Sequence, residues 1–180
     1  MTAQEETLIL TTLREDTEKG FRMLLTRFQE PLYWHIRRLL VSHDDTQDAT
    51  QETFVRIYRS WSQFKGESSL AVWMYRIATN EALRLLRQRK EETLSLDDPE
   101  VHVGHLLTDE YVDYTDLEAV KLQQAILSLP TKQQLAFNLR YYDELDYDAI
   151  AQITESTAVN VKANYHLAKE KIIQYMNMVD

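Results

Sequence analysis

A chain of 180 residues with 44% hydrophobic content can build one core or two small ones. It has no cysteine, which excludes disulfides and thiolate metal sites, and no run near the roughly 18 apolar residues of a membrane span. The net charge of −9 is unevenly placed: residues 1–90 hold 14 Lys+Arg against 12 Asp+Glu, residues 91–115 hold none against 8, and residues 116–180 hold 6 against 9.

Such asymmetry points to parts with separate jobs. With only three glycines and three prolines, long helices joined by few tight turns are expected. The stretch Met1–Thr12 has no basic n-region or cleavage site. No secretory signal is expected, and the cysteine-free composition fits a cytoplasmic protein.

The first helical stripe is Phe21, Leu24, Leu25, Phe28 and Leu32, continued by Ile36, Leu39 and Leu40. Pro31 is expected to kink this helix or to start a second one. Asp44 or Asp45 can cap the next helix, which carries Ala49, Phe54, Ile57 and Trp61 on one side. Phe64 to Ser68 reads as a turn, and Ser68 or Ser69 as the cap of a helix burying Leu70, Trp73, Met74 and Ile77. Residues 91–115 lack apolar period and read as an acidic linker. Helical pattern resumes at Leu117, Val120, Ile126 and Leu127 and stops near Pro130. Thr131 is expected to cap a helix with Leu135, Ala136 and Leu139. Asp146 caps a short one with Ala149, Ile150 and Ile153. Thr157 caps a last one with Val161, Tyr165, Ala168 and Ile172. The expected architecture is all-α: a helical bundle over 1–90, the linker, and a second helical domain over 116–180.

The last two helices and their short turn have the helix-turn-helix pattern, in which the second helix enters the major groove. With Val161, Tyr165 and Ala168 inward, Asn160, Ala163, His166 and Leu167 face outward, and Lys162 and Lys169 flank them. Asn pairs with adenine, Lys with guanine or phosphate, and Ala or Leu with a thymine methyl. Any helical hairpin packed on a neighbour has the same pattern. In the first domain, Arg76, Asn80, Arg84 and Arg87 recur at i, i+4, i+8, i+11 on one helix face, extended by Arg89 and Lys90. Such a stripe can track phosphates and read a base, or simply be solvated. The nearby Trp61, Phe64, Trp73 and Tyr75 suit stacking on unpaired bases, although Trp73 at helical spacing suits a core. Asp48, Gln51, Glu52 and Arg56 form a polar face that can dock a partner helix around an aromatic such as Phe54. An ordinary amphipathic surface helix looks the same. His102 and His105 have metal-ligand spacing but sit in an aperiodic segment, and no metal or cofactor is expected. There is no Gly-rich phosphate loop and no nucleophile or His-Glu metal motif, so an enzyme is not expected.

In order, these blocks resemble a bacterial RNA polymerase sigma factor of the extracytoplasmic-function group. The resemblance spans about residues 20–90 and 117–175. Asp48-Ala49-Thr50-Gln51-Glu52-Thr53-Phe54 resembles the region 2 segment that docks on the polymerase β′ clamp helices. That implies polymerase contacts by Asp48, Gln51, Glu52 and Phe54. Trp73, Ile77-Ala78, Asn80 and Arg87 resemble the segment that recognises the −10 element, and Phe64 to Ser69 the loop that captures a flipped base. Contacts by Phe64, Lys65, Ser68, Arg76, Asn80, Arg84 and Arg87 are implied. Ala125-Ile126, Leu129-Pro130, Ala136-Phe137, Leu139-Arg140-Tyr141, Ile150-Ala151 and Val161-Lys162 resemble region 4, whose helix-turn-helix reads the −35 element. Here the implied contacts are Thr157, Asn160, Lys162, Ala163, His166 and Lys169. The resemblance further implies core polymerase, including its β subunit, and promoter DNA as partners. It also implies an anti-sigma factor, a chain that is monomeric when free, and no membrane insertion. Glu155 stands where the family often has Gly, Ser156 where an apolar residue is usual, Val159-Asn160 where Gly-Thr is frequent, and Leu167 where Arg is frequent. The recognition helix is thus less basic than usual.

Overall fold

The computed structural model describes residues 1–94 and 116–178; the linker beyond residue 94 and the His102/His105 pair lie outside the described residues. The chain divides into two compact units, Met1–Leu96 and Asp97–Asp180. Every regular element among the described residues is helical, as the spacing of apolar residues requires.

Unit 1 contains α1 (Ala3–Glu15), α2 (Thr17–Leu40), α3 (His43–Ser60), a single 3-10 turn (Trp61–Gln63) and α4 (Leu70–Leu94). The pattern of apolar residues does not announce α1, because only Ile9 and Leu13 are buried. Its start is nevertheless written in a capping box: Glu5 N–H donates to Thr2 Oγ1 at 3.2 Å, and Thr2 N–H donates back to Glu5 at 2.7 Å. Asp16 ends α1 and caps α2, accepting from Lys19 N–H at 3.0 Å. The two helices then fold back so closely that a Cβ on Gly20 would lie 2.6 Å from the Leu13 backbone.

Pro31 neither breaks α2 nor starts a new helix. Leu24, Phe28, Leu32 and Ile36 are buried on both sides of it, and their packing offsets the hydrogen bond that proline removes. The cap of α3 is Ser42, which accepts from Asp45 N–H, rather than Asp44 or Asp45. Between the two helices Val41 takes φ 65°, ψ −45°, while Ser42 N–H donates to Leu40 O at 2.7 Å. That geometry is a γ-turn of the strained hand. Ser69 caps α4 as expected, accepting from Val72 N–H at 3.2 Å. α4 runs through Leu94, four residues into the stretch read as linker. Met74 and Leu70 are fully buried, whereas Trp73 and Ile77 are only half-buried.

Unit 2 contains α5 (Leu117–Leu127), α6 (Thr131–Tyr141), α7 (Tyr147–Thr154) and α8 (Ala158–Asn177). Ala125, Ile126, Leu129, Phe137, Ala168 and Ile172 form its core, with Leu139, Ile150, Ile153 and Val161 also buried. Thr131 is the first helical residue of α6, not its cap; Pro130 holds that place with no side-chain bond, its carbonyl accepting from Gln133 and Gln134. Asp146 and Thr157 cap α7 and α8 as the sequence predicts, at 2.7 and 3.2 Å.

Candidate nucleic-acid and partner interfaces

On α3, Asp48 and Gln51 are exposed and Glu52 is partly exposed. Phe54 is not on that face. It is 6% exposed, and its ring lies edge-on to Phe21 at 6.3 Å. The correction follows from helix geometry: Phe54 shares its side of α3 with Thr46, Ala49, Thr50, Thr53 and Ile57, all buried. The exposed apolar residues beside Asp48 are instead Val55 and Tyr58, the latter packed on Phe21 at 5.0 Å. A helical wheel centred on Asp48 would have picked out both.

The turn after α3 keeps Phe64 half-buried against Trp73, with ring centroids 5.4 Å apart. Lys65 is exposed, Gly66 takes φ 72°, and the Ser68 hydroxyl donates to Ser69 O at 3.2 Å. The far end of this turn is fixed by a residue that sequence pattern does not mark. Glu6 of α1 accepts from Leu70 N–H at 2.8 Å, placing a carboxylate at the positive end of α4.

Along α4, Asn80, Arg84 and Arg87 are exposed and Arg76 is half-buried. Arg76 and Arg87 have no carboxylate partner among the described residues; Arg87 donates to Leu83 O at 3.3 Å. Arg84 differs. Its Nε donates to Glu81 Oε1 at 2.9 Å and its Nη2 also reaches that carboxylate. The same carboxylate takes Arg56 Nε of α3 on its other oxygen at 3.0 Å, and Arg56 is further paired with Glu52 at 3.2 Å. The hydrogen bonds that Arg84 donates to Glu81 raise its pKa above the ordinary value. Arg89 is raised likewise, by its bond to Asp45 on α3.

In unit 2, α7, the turn at Glu155 and Ser156, and α8 form the helix-turn-helix. Glu155 adopts φ 52°, ψ 48°, and Ser156 N–H donates to Ala151 O at 2.9 Å. Asn160, Lys162, Ala163, His166, Leu167 and Lys169 are exposed, while Val161 and Ala168 are buried and Tyr165 is half-buried. Lys169 Nζ sits 5.5 Å from the centre of the Tyr165 ring. The Thr157 hydroxyl is engaged as the α8 cap. Val159, one residue into the helix and 79% exposed, belongs to the same outward face.

Among the described residues no group of three or more His, Cys, Asp or Glu side chains could hold a metal ion, and no helix is long and apolar enough to cross a membrane. A helix-turn-helix unit, and a unit that sets a basic, Asn-bearing helix beside an acidic one, together define a nucleic-acid-binding protein built to work with a protein partner. The family model of sigma-70 region 2 matches residues 24–92, and that of sigma-70 region 4 matches residues 119–172. The chain is 30% identical over 169 residues to an extracytoplasmic-function RNA polymerase sigma-E factor of Haemophilus influenzae, covering 89% of both chains. It is 26% identical over 181 residues to the RNA polymerase sigma-H factor of Pseudomonas aeruginosa, covering 96% of this chain and 94% of that one. Its fold is similar to that of the sigma factor RpoE from Bartonella quintana, solved in complex with the anti-sigma factor NepR. The TM-score there is 0.76 at 20% identity, over 90% of this chain and 99% of that one. CnrH, solved with the cytosolic domain of CnrY, matches with a TM-score of 0.73 at 17% identity, over 96% of this chain and 97% of that one. The chain belongs to the extracytoplasmic-function sigma factors of the sigma-70 family. It is therefore an initiation factor and not an enzyme: it binds core RNA polymerase and promoter DNA and directs promoter-specific transcription initiation.

Proposed function

We propose that residues 1–90 grip core polymerase and the −10 element, that 91–115 link, and that 116–180 read the −35 element. The α3 face of Asp48, Gln51 and Glu52, with Val55 and Tyr58 replacing the buried Phe54, docks on the β′ clamp helices. Arg76, Asn80 and Arg87 of α4 contact the −10 element, and Phe64, Lys65 and Ser68 hold an unstacked base beside Trp73. Arg84 lies on this stripe but is held by Glu81. Asn160, Lys162, Ala163, His166 and Lys169 of α8 contact the −35 element, with Thr157 starting the helix that carries them. The polymerase, including its β subunit, aligns the two units on one promoter. An acidic chain gains specific affinity in this way by linkage rather than by charge. In the cytoplasm the free chain is monomeric and is masked by an anti-sigma factor.

One observation carries this reading. Within a single packed unit, α3 presents an acidic and amide face while α4, packed against it, presents cations flanking an exposed Asn. Phosphate contacts position a protein and an amide can read a base, so that pairing suits a partner on one side and DNA on the other. The test is reconstitution with core polymerase and mapping of transcript starts. Asp48→Ala with Gln51→Ala lowers polymerase affinity, whereas Asn80→Ala and Arg87→Ala lower promoter opening at unchanged polymerase affinity. Absence of promoter-specific starts, or equal loss of polymerase binding in all three variants, refutes the assignment.

A further inference from the structure

Glu81 is the one acidic residue on α4 upstream of Glu91, and it is 2% exposed. A carboxylate removed from water is strongly unfavourable unless it is paired on its oxygens. Both oxygens are paired here. Oε2 lies 3.0 Å from Arg56 Nε of α3, and Oε1 accepts from Arg84 Nε at 2.9 Å and from Arg84 Nη2. Arg56 and Arg84 keep 51% and 48% of their side-chain surface exposed, so both look from outside like free surface cations. They are not equivalent to Arg76 and Arg87. For Arg84 to reach a phosphate with its Nε and Nη2, it must leave Oε1 of a buried carboxylate without its donors. The cluster Glu52, Arg56, Glu81 and Arg84 is electrically neutral, although it sits beside the stripe that holds Asn80.

We propose that Glu81 is a specificity-determining residue, which withholds Arg84 and neutralises Arg56 so that neither adds sequence-independent phosphate affinity. This rests on the reading of α4 as a DNA-facing helix. Phosphate neutralisation supplies most non-specific affinity, and a high specific-to-non-specific ratio depends on keeping that contribution small. The DNA face then works through Arg76, Asn80 and Arg87, with base reading by Asn80 weighing more in the total. Glu81 is a positioning residue, since it touches the two arginines and not the DNA.

The full chain is titrated against a labelled duplex of non-promoter sequence from about 50 to about 200 mM salt, where each neutralised phosphate contributes a slope of about −0.9 in log K against log salt. Glu81→Gln keeps the side-chain shape and frees Arg84, while Arg56 stays paired with Glu52. It should tighten binding and steepen the slope by about 0.9, the one net cation that the cluster gains. As holoenzyme it should also lower the ratio of promoter to non-promoter binding. Arg84→Ala should leave the slope where it was, and Arg87→Ala should make it shallower by about 0.9. A merely structural Glu81 would weaken binding or leave the slope alone, and either result for Glu81→Gln overturns the proposal. If that variant does not fold, the comparison of Arg84→Ala with Arg87→Ala still decides, because equal losses of slope mean that Arg84 is not withheld. Should Arg87→Ala also leave the slope unmoved, the DNA-facing reading of α4 itself falls.

Discussion

Replacing Glu155 by Gly should stabilise unit 2. The residue lies in the left-handed region, at φ 52° and ψ 48°, where the Cβ of an L-residue crowds its own backbone. That crowding costs about 1–2 kcal/mol, and the backbone bond from Ser156 to Ala151 across the turn holds the residue there. Glycine relieves the crowding but adds freedom to the unfolded chain, worth about 0.4–1 kcal/mol in the opposite sense. A net gain of about 0.5–1 kcal/mol remains, which in a domain of this size raises the melting temperature by about 2–8 °C. The side chain is exposed, so no packing is lost. The two units can be followed separately, because all three tryptophans, Trp34, Trp61 and Trp73, lie in unit 1. Far-ultraviolet circular dichroism should show a later unfolding step for the variant while tryptophan emission melts unchanged. Glu155→Ala, which keeps the Cβ, and Glu155→Gln, which removes only the charge, should both stay within about 0.5 kcal/mol of the parent. A glycine variant that melts no higher than the alanine variant would show that no strain is held at this turn.

Three further outcomes follow from local geometry. Val41→Gly should raise the urea midpoint of the tryptophan-monitored transition, because a β-branched residue at φ 65° is strained by about 1–3 kcal/mol, more than glycine's unfolded-chain freedom of about 0.4–1 kcal/mol takes back. Thr157→Ala should lose about 1 kcal/mol of cap energy, speed amide exchange in the first turn of α8 about fivefold and weaken −35 binding; Thr157→Ser should do none of these. Glu6→Ala should deprotect the Leu70 amide in hydrogen exchange and leave the unit otherwise folded, since one acceptor holds the end of the Phe64–Ser69 turn against α1.

Much of this architecture is written in local pattern. The stripe from Phe21 to Leu40 gives α2, and Asp146 and Thr157 mark the starts of α7 and α8, because a cap is a one-residue event visible in one dimension. The outward set on α8 follows from the period alone once Val161 and Ala168 are taken as core. What fails to show depends on a partner far along the chain. Glu81 in a helical sequence reads as a solvated carboxylate; it is buried because Arg56 arrives from α3, 25 positions earlier. Glu6 reads as one more surface acid of α1 until Leu70, 64 positions away, presents its N–H. α1 has no apolar period to show, with only Ile9 and Leu13 buried, and its clearest signal is the Thr2 and Glu5 pair. Phe54 failed for a different reason. An aromatic among acids looks like an interface anchor, yet the buried threonines at positions 46, 50 and 53 assign its side of α3 to the core.

Charge and exposure together imply that the two units meet DNA by different physics. In unit 1 the free cations Arg76 and Arg87 flank Asn80, so its contribution should follow salt. In unit 2 the outward face of α8 begins with Val159 at 79% exposure and continues through Ala163 to Leu167 at 45%, with Lys162 and Lys169 at its flanks. Apolar side chains on a recognition helix gain from thymine methyl groups, which salt does not screen. Replacing single thymines of the −35 element by uracil removes one methyl each and leaves the phosphates untouched. Burying one such group is worth about 0.8 kcal/mol, so one substitution should lower holoenzyme affinity about fourfold. Val159→Ser should abolish that response at the position it contacts and leave the salt slope unchanged. If wild type and Val159→Ser respond alike to every uracil, Val159 reads no methyl group, and its exposure calls for a protein partner instead.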